Sequence, residues 1–255
     1  MDARPARRAA NTNDRNQHDE ISLARRVIVV LSGRFSSELG IDIAVEDTEI
    51  ERWFLAATLF GTRISARIAE RTFRELAAAG LVRIGRVRTV PEAELVALLD
   101  AGGYARYDFR TAARLLNLAE VVSERFGGQV ASISEMHPSY PELQAGLDAL
   151  PGWGEVTIRL FLRELRGVWP GAQPPLDERA AAAVRHLELL PSGAVLSDLA
   201  DLAHTAGLDL RDLESGLVRL ALLHHRAMAS CPGGQACAAL PTPSKATYAD
   251  ERAHG

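Results

Sequence analysis

Apolar residues recur at helical spacing along most of the chain. Residues 48–60 show the pattern clearly, because Phe54 and Leu59 fall on the apolar face and Asp47 or Thr48 precedes it as an N-cap. The same pattern predicts further helices over residues 20–39, 64–79, 91–100, 109–126, 142–150, 155–166, 177–189, 196–206 and 210–225. We therefore predict an all-α fold.

The remaining stretches predict the connections between these helices. Residues 81–90 are the one candidate for strand structure, as a short hairpin or a sheet edge. Residues 1–19 are polar and contain no apolar run, so we expect a disordered N-terminal arm. Breaks rich in Pro, Gly and Ser predict a linker near 167–175 and a flexible tail over 230–255.

The charge balance limits the ways in which the protein can bind nucleic acid or act as a catalyst. The 255 residues include 29 Lys and Arg against 33 Asp and Glu, a net charge of −4, so any contact with nucleic acid must be local. Lys245 in the tail is the only lysine, and the other 28 basic residues are arginines. Arginine is not an amine nucleophile, which excludes Schiff-base chemistry through a lysine within the fold.

One short segment has the composition of a tight turn between two helices. Pro151 and Gly152 follow the apolar helix that ends near Leu150, and Gly154 stands just before the next helix. Such a turn directs the first amides of the second helix outward, where they suit a phosphate or another anion. The alternative is an αα-hairpin that only packs.

This segment resembles the hairpin of the helix-hairpin-helix (endonuclease III-like, HhH-GPD) DNA glycosylase superfamily. In that superfamily an aspartate opens the next helix about twenty residues later, and Asp177 stands at the matching place. Residues 53–63 look like the helix and loop that probe the duplex beside the extruded base, and residues 102–113 resemble the segment that leads toward the hairpin. The similarity covers roughly residues 45–190.

The resemblance implies a two-layer helical fold that binds double-stranded DNA and excises bases. A central domain would span residues 53–165 and end in the hairpin, and a second domain would combine residues 20–52 with 166–229. The expected catalytic residue is Asp177. The expected DNA contacts are Leu150, Gly152, Trp153, Gly154, Thr157, Arg159, Gly61, Thr62 and Arg63.

Two departures from the family pattern shape the expected chemistry. Bifunctional relatives carry a lysine two residues after the second glycine of the hairpin, where this chain has Val156. The resemblance therefore points to monofunctional glycosylases, in which water is the nucleophile and no β-lyase step follows. Iron–sulfur relatives carry four cysteines, of which Cys231 and Cys237 match the last two, while Ala221 and Met228 replace the first two. We expect no iron–sulfur cluster, because four thiolates are needed to hold it.

The two cysteines leave one other question about metals. His224, His225, Cys231 and Cys237 offer four ligand atoms, but their spacing fits no ordinary zinc site. We expect two inert thiols and no bound metal or cofactor.

Several side chains have both a functional and a structural interpretation. The carboxylate of Asp177 would stabilise positive charge on the sugar as the glycosidic bond breaks, but aspartate is also a good N-cap. Arg159, Arg163 and Arg166 recur at helical spacing and form either a local cationic face, together with Arg63 and Arg67, or solvated surface.

Two rival functions remain open. The first is a DNA-binding protein that keeps the hairpin but has lost the chemistry. The second is a winged-helix transcriptional regulator, because residues 64–71 followed by 76–82 resemble a recognition helix and the entry to a wing. For all three functions we expect a monomer without a membrane partner, located in the cytoplasm and associated with the nucleoid.

Overall fold

The computed structural model describes residues 4–61, 64–104 and 107–241, leaving out the side chains of residues 4–15, 225 and 226. Every regular element in these ranges is a helix, so the prediction of an all-α fold is confirmed. None of the described helices is long and apolar enough to cross a membrane. The chain divides into two compact units, Met1–Arg34 with Pro175–Gly255 (unit 1) and Phe35–Pro174 (unit 2). The sequence suggested boundaries at 52/53 and 165/166 instead.

Unit 1 is built around one helix that contacts three others. Its helices are α1 (Arg4–Leu31), α11 (Glu178–His186), α12 (Leu196–Ala206) and α13 (Leu210–His224), followed by 3₁₀ turns at His225–Ser230 and Gly234–Ala236. Helix α13 packs against α1, α11 and α12, and buried leucines such as Leu213 and Leu217 form the contact. Helix α1 begins at Arg4, within the stretch predicted as a disordered arm.

Unit 2 contains the remaining helices. They are α2 (Phe35–Glu38), α3 (Asp47–Phe60), α4 (Ala66–Ala78), α5 (Ile84–Val87), α6 (Glu92–Leu99), a π-helical turn (Asp100–Tyr104), α7 (Asp108–Phe126), α8 (Ala131–Met136), α9 (Tyr140–Asp148) and α10 (Glu155–Glu164). Helix α3 is central, because every residue from Trp53 to Leu59 is buried. It packs against α4, α5, α8 and α10.

A buried carboxylate joins two distant parts of unit 2. The carboxylate of Glu164, at the end of α10, accepts hydrogen bonds from the backbone amides of Phe35 (2.8 Å) and Ser36 (3.0 Å) at the start of α2. Burial raises the pKa of Glu164, although Arg163 and the hydrogen bonds to Ser36 and Phe35 act in the opposite direction. The carboxylate thus satisfies amides that the short helix α2 cannot pair internally.

The one stretch that the sequence left as a candidate strand contains a short helix instead. Within residues 81–90 the chain forms the short helix α5, and Ile84 and Val87 are buried on its inner side. An apolar pair three residues apart fits one helical turn, whereas a strand would point such residues to opposite faces. No strand pair that could serve as a wing is present in the part of the chain that the structure describes.

Candidate functional site

The turn between α9 and α10 is tight and depends on glycine. The amide of Trp153 donates to the carbonyl of Leu150 (3.1 Å), and Gly152 between them has φ +78°. This left-handed conformation favours glycine, because a Cβ atom there is strained. Gly154 has extended backbone and precedes the first residue of α10, and a Cβ atom on it would meet open space. The turn is therefore closed by Gly152 and leaves room beside Gly154.

The large side chains of this turn belong to the core. Trp153 stacks on Phe54 with ring centroids 4.5 Å apart, and its indole N–H donates to the hydroxyl of Thr58 (3.2 Å). Leu150 and Thr157 are buried as well. Any contact with DNA from these three predicted residues would therefore use their backbones, because the side chains of Leu150, Trp153 and Thr157 pack inside unit 2.

A cleft of about 890 Å³ opens beside the turn, entirely within unit 2. Its walls come from the turn, the end of α3, the π-helical turn and one face of α7. The described lining residues are Gly61, Ile64, Tyr104, Tyr107, Arg110, Thr111, Ala113, Arg114, Asn117, Pro151 and Gly152. The cleft thus contains two positions predicted from the sequence, Gly61 and Gly152, which lie far apart in the chain.

Two arginines give this cleft its charge. Arg110 is exposed, whereas the Nε and Nη2 atoms of Arg114 are buried and make no hydrogen bond within the described chain. Burial lowers the pKa of Arg114, Tyr104 acts in the opposite direction, and the like charge of Arg110 lowers it further. The described lining residues include no carboxylate. The arrangement therefore suits an anion, which would supply the acceptors that Arg114 lacks.

The aliphatic part of Arg114 also lies against the turn. A Cβ atom placed on Gly152 would overlap its Cδ and would lie 2.9 Å from its Nε. Glycine at this position thus allows the arginine to pass directly over the turn.

Three arginines in and just after α10 do not form the cationic face that the sequence suggested. Arg159 is paired with Glu155 at 2.6 Å across one helical turn. Arg163 on α10 and Arg166 beyond its end are buried, and the guanidinium of Arg163 lies 6.0 Å from the ring centroid of Phe35. Both the cationic face and the solvated surface are therefore wrong for Arg163 and Arg166, because helical spacing alone does not tell which side chains point inward.

Asp177 lies in unit 1 and has a clear structural role. It is buried, and its side chain accepts a hydrogen bond from the backbone amide of Arg179 (2.8 Å), as an N-cap of α11 does. Its own amide donates to the carboxylate of Glu214 on α13 (3.1 Å). The structural interpretation of Asp177 as an N-cap is confirmed, and the catalytic interpretation stays a prediction.

The other predicted positions have mixed outcomes. Thr62 and Arg63 lie outside the described residues. Val156, which replaces the lysine of bifunctional relatives, is exposed in the first turn of α10. Sequence reasoning missed Arg110 and Arg114, although their spacing of four residues places them on one face of α7.

The described residues also contain one group of potential metal ligands, in unit 1. It comprises His186, His224, Cys231 and Cys237. Three of these residues were weighed as ligands from the sequence, but His186 was not. The fourth residue weighed there, His225, has a side chain outside the described part.

Comparison with known proteins adds no family assignment. No protein-family model matches the chain, and no curated protein matches it at a significant level.

Proposed function

We propose that this protein binds double-stranded DNA through the cleft of unit 2 and acts as a monofunctional DNA N-glycosylase. The observation that carries the proposal is the cleft itself, where the Gly152 turn, Gly61 and the guanidinium of Arg114 come together. Its volume, about 890 Å³, lies in the range of ligand-binding clefts. The resemblance of the hairpin to helix-hairpin-helix DNA glycosylases supplies the substrate class.

The charge of the cleft supports a phosphate ligand. The whole chain carries a net charge of −4, so DNA is not attracted by the protein as a whole. Two arginines and no described carboxylate make this cleft locally positive. Arginine binds phosphate with paired N–H groups, and the first amides of a helix such as α10 have no partner within the helix itself. Contacts of this kind hold the duplex in place without reading its sequence.

The chemistry proposed for the bound DNA is hydrolysis of one glycosidic bond. A target base must first leave the duplex, which costs a few kcal/mol. Water then forms a bond to C1′ of the sugar, the C1′–N bond breaks, and the base leaves with the bonding electrons. The attacking water loses a proton and the departing base takes one up, so the products are a sugar with a hydroxyl group on C1′ and a neutral base. The resemblance, and not the cleft, assigns to Asp177 the role of stabilising the positive charge that develops on the sugar, because Asp177 belongs to unit 1 and does not line the cleft. The one lysine of the chain is Lys245 in the tail, so no imine intermediate enters the proposal.

One observation favours a second candidate, a DNA-binding protein without catalytic activity. Asp177 caps α11 through the amide of Arg179, and this role alone accounts for an aspartate at the position. In this second candidate the cleft of unit 2 binds DNA in the same way.

Two assays test the proposal and separate the candidates. Single-turnover assays on a panel of duplexes with damaged bases measure base release, with Asp177→Asn as the informative variant, because asparagine caps helices as well as aspartate does. Asp148→Asn, an exposed position in α9, is the matched control. We expect base release by the wild type and by the control, and its loss in Asp177→Asn. Release that persists in Asp177→Asn contradicts the catalytic role, and binding without any release favours the second candidate.

The binding step is tested separately by fluorescence anisotropy at several salt concentrations. Arg114→Gln should weaken DNA binding and reduce the salt dependence by about one phosphate contact. Arg88→Gln is the matched control, because Arg88 belongs to the same unit, is paired with Glu120 and does not line the cleft. Equal binding by the wild type and Arg114→Gln would contradict the proposed interface.

A further inference from the structure

Four potential metal ligands meet at one end of unit 1. The ligand atoms of His186, His224, Cys231 and Cys237 all lie within 4.8 Å of one another. The Sγ atom of Cys237 is 3.5 Å from Nε2 of His224, and the rings of His186 and His224 have centroids 4.9 Å apart. His224 and Cys237 are buried, and the other two residues are partly buried.

The fold brings these residues together from separate parts of the sequence. His186 is the last residue of α11 and His224 the last residue of α13, and these two helices pack against each other. The loop from Cys231 to Cys237 then returns to the same helix ends. Gly233 in this loop has φ +73°, and a Cβ atom on it would overlap the carbonyl oxygen of His186. Glycine therefore allows the loop to approach the end of α11.

The distances suit a single tetrahedral ion. With Zn–S bonds of about 2.3 Å and Zn–N bonds of about 2.0–2.1 Å, the edges of a ZnS₂N₂ tetrahedron measure about 3.3–3.8 Å. The measured distance of 3.5 Å between Cys237 Sγ and His224 Nε2 is one such edge. All other pairs lie within 4.8 Å, so small side-chain rotations would complete the geometry.

The polar groups at this position also favour a cation. Nε2 of His186 is buried and accepts or donates no hydrogen bond within the described chain. The backbone amide of Ala238 donates a hydrogen bond to the Sγ atom of Cys231 (3.3 Å). Amide hydrogen bonds of this kind support the thiolate form that a metal requires.

From this geometry we infer that His186, His224, Cys231 and Cys237 bind one Zn²⁺ ion as a structural site. Two thiolates and two imidazoles in a tetrahedral arrangement are the ligand set typical of zinc, and four protein ligands leave no open position for catalysis. The inference departs from the sequence-based expectation of two inert thiols. Spacing along the chain could not reveal it, because His186 lies 38 residues before His224.

With the ion bound, both ends of α11 would be fastened to α13. At the first end the amide of Asp177 already donates to Glu214 of α13 (3.1 Å). The other end of α11 lies about 13 Å further along this helix of nine residues, and there the zinc would join His186 to His224. The C-terminal loop would be held to the same helix ends through Cys231 and Cys237.

Metal analysis of the full chain tests this inference. We expect one zinc ion per chain in the purified protein, and its loss in His186→Ala and in Cys237→Ser. His204→Ala is the matched control, because His204 is exposed on α12 and belongs to no ligand group. Cobalt substituted for zinc in the wild type should give the intense absorption of tetrahedral thiolate coordination. Removal of zinc by a chelator should lower the Tm, and added zinc should restore it.

The outcomes distinguish a single zinc ion from an iron cluster and from a disulfide. Iron with the visible absorption of a cluster, or a disulfide between Cys231 and Cys237 in metal-free protein, would overturn the inference. Zinc content that is unchanged in both ligand variants would overturn it as well. Should a variant fail to fold, the cobalt spectrum of the wild type still decides, since an absorption without thiolate bands contradicts the ligand set.

Discussion

Replacement of Gly152 by alanine should destabilise unit 2 through two separable effects. The first is the left-handed backbone at φ +78°, which costs an alanine about 1–2 kcal/mol. The second is the overlap of the new Cβ atom with Cδ of Arg114. Forcing extra atoms into a packed region typically costs about 1–3 kcal/mol. We therefore expect Gly152→Ala to lower the free energy of unfolding by about 2–5 kcal/mol.

Two other glycines isolate these effects. Gly80 has φ +77° and no atom within 4 Å of an added Cβ, so Gly80→Ala should show the backbone cost alone. Gly154 has extended backbone and open space but is the N-cap of α10, so Gly154→Ala should lower the free energy of unfolding only by the N-cap preference for glycine over alanine, about 1 kcal/mol. Because Gly154 is among the DNA contacts expected from the sequence, the same variant should weaken DNA binding.

Urea unfolding of each variant measures these differences, and Arg114→Ala completes a double-mutant cycle. In the Arg114→Ala background the cost of Gly152→Ala should fall to that of Gly80→Ala. Equal costs for Gly152→Ala and Gly80→Ala in the wild-type background would refute the crowding by Arg114. An unchanged cost of Gly152→Ala after removal of Arg114 would refute it as well.

Three further substitutions probe the core of unit 2 by the same unfolding measurement. Trp153→Phe should lower the free energy of unfolding by about 1–3 kcal/mol, because it removes the hydrogen bond to Thr58 and leaves a cavity. An unchanged free energy of unfolding would mean that the indole is not packed there. Gly61→Ala should cost about 1–3 kcal/mol through overlap with Thr157, and a neutral result would contradict that contact. Burial raises the pKa of Glu164, so the folded state keeps this proton where the unfolded state has lost it. The contribution of Glu164 to the free energy of unfolding should therefore fall as pH rises above about 4. Glu164→Gln should remove this contribution, so the slope of the free energy of unfolding against pH should differ between the two proteins; the same slope in both would contradict it.

The fold class and most helices could be predicted from the sequence because their apolar positions repeat at a regular interval. Helix α12 was predicted with the bounds that the structure has, Leu196–Ala206. The short helices α5 and α8 were not predicted, because a single turn carries too few apolar positions to show a period. Helix α2 was predicted only as the end of one helix over residues 20–39, whereas the structure ends α1 at Leu31 and begins α2 at Phe35. In α2 the deciding partner, Glu164, lies more than a hundred residues away.

The candidate site could be predicted only in part, for a related reason. Glycine and proline at the turn are visible in the sequence because they restrict the backbone locally. The cleft also needs Arg114, whose importance depends on its burial against Gly152, and burial is a property of the packed unit. Arg163 and Arg166 show the opposite error. Their charge is typical of surface residues, but both side chains are buried.

The N-cap at Asp177 has a consequence for how relatives of this chain are judged. Loss of the cap would cost about 1 kcal/mol of folding free energy, so a stable start of α11 is by itself a sufficient reason for an aspartate at this position. An aspartate at the start of this helix therefore indicates a capped helix and is not by itself a sign of catalysis. Measured base release is the criterion that distinguishes a DNA glycosylase from a protein that has the same fold without the activity.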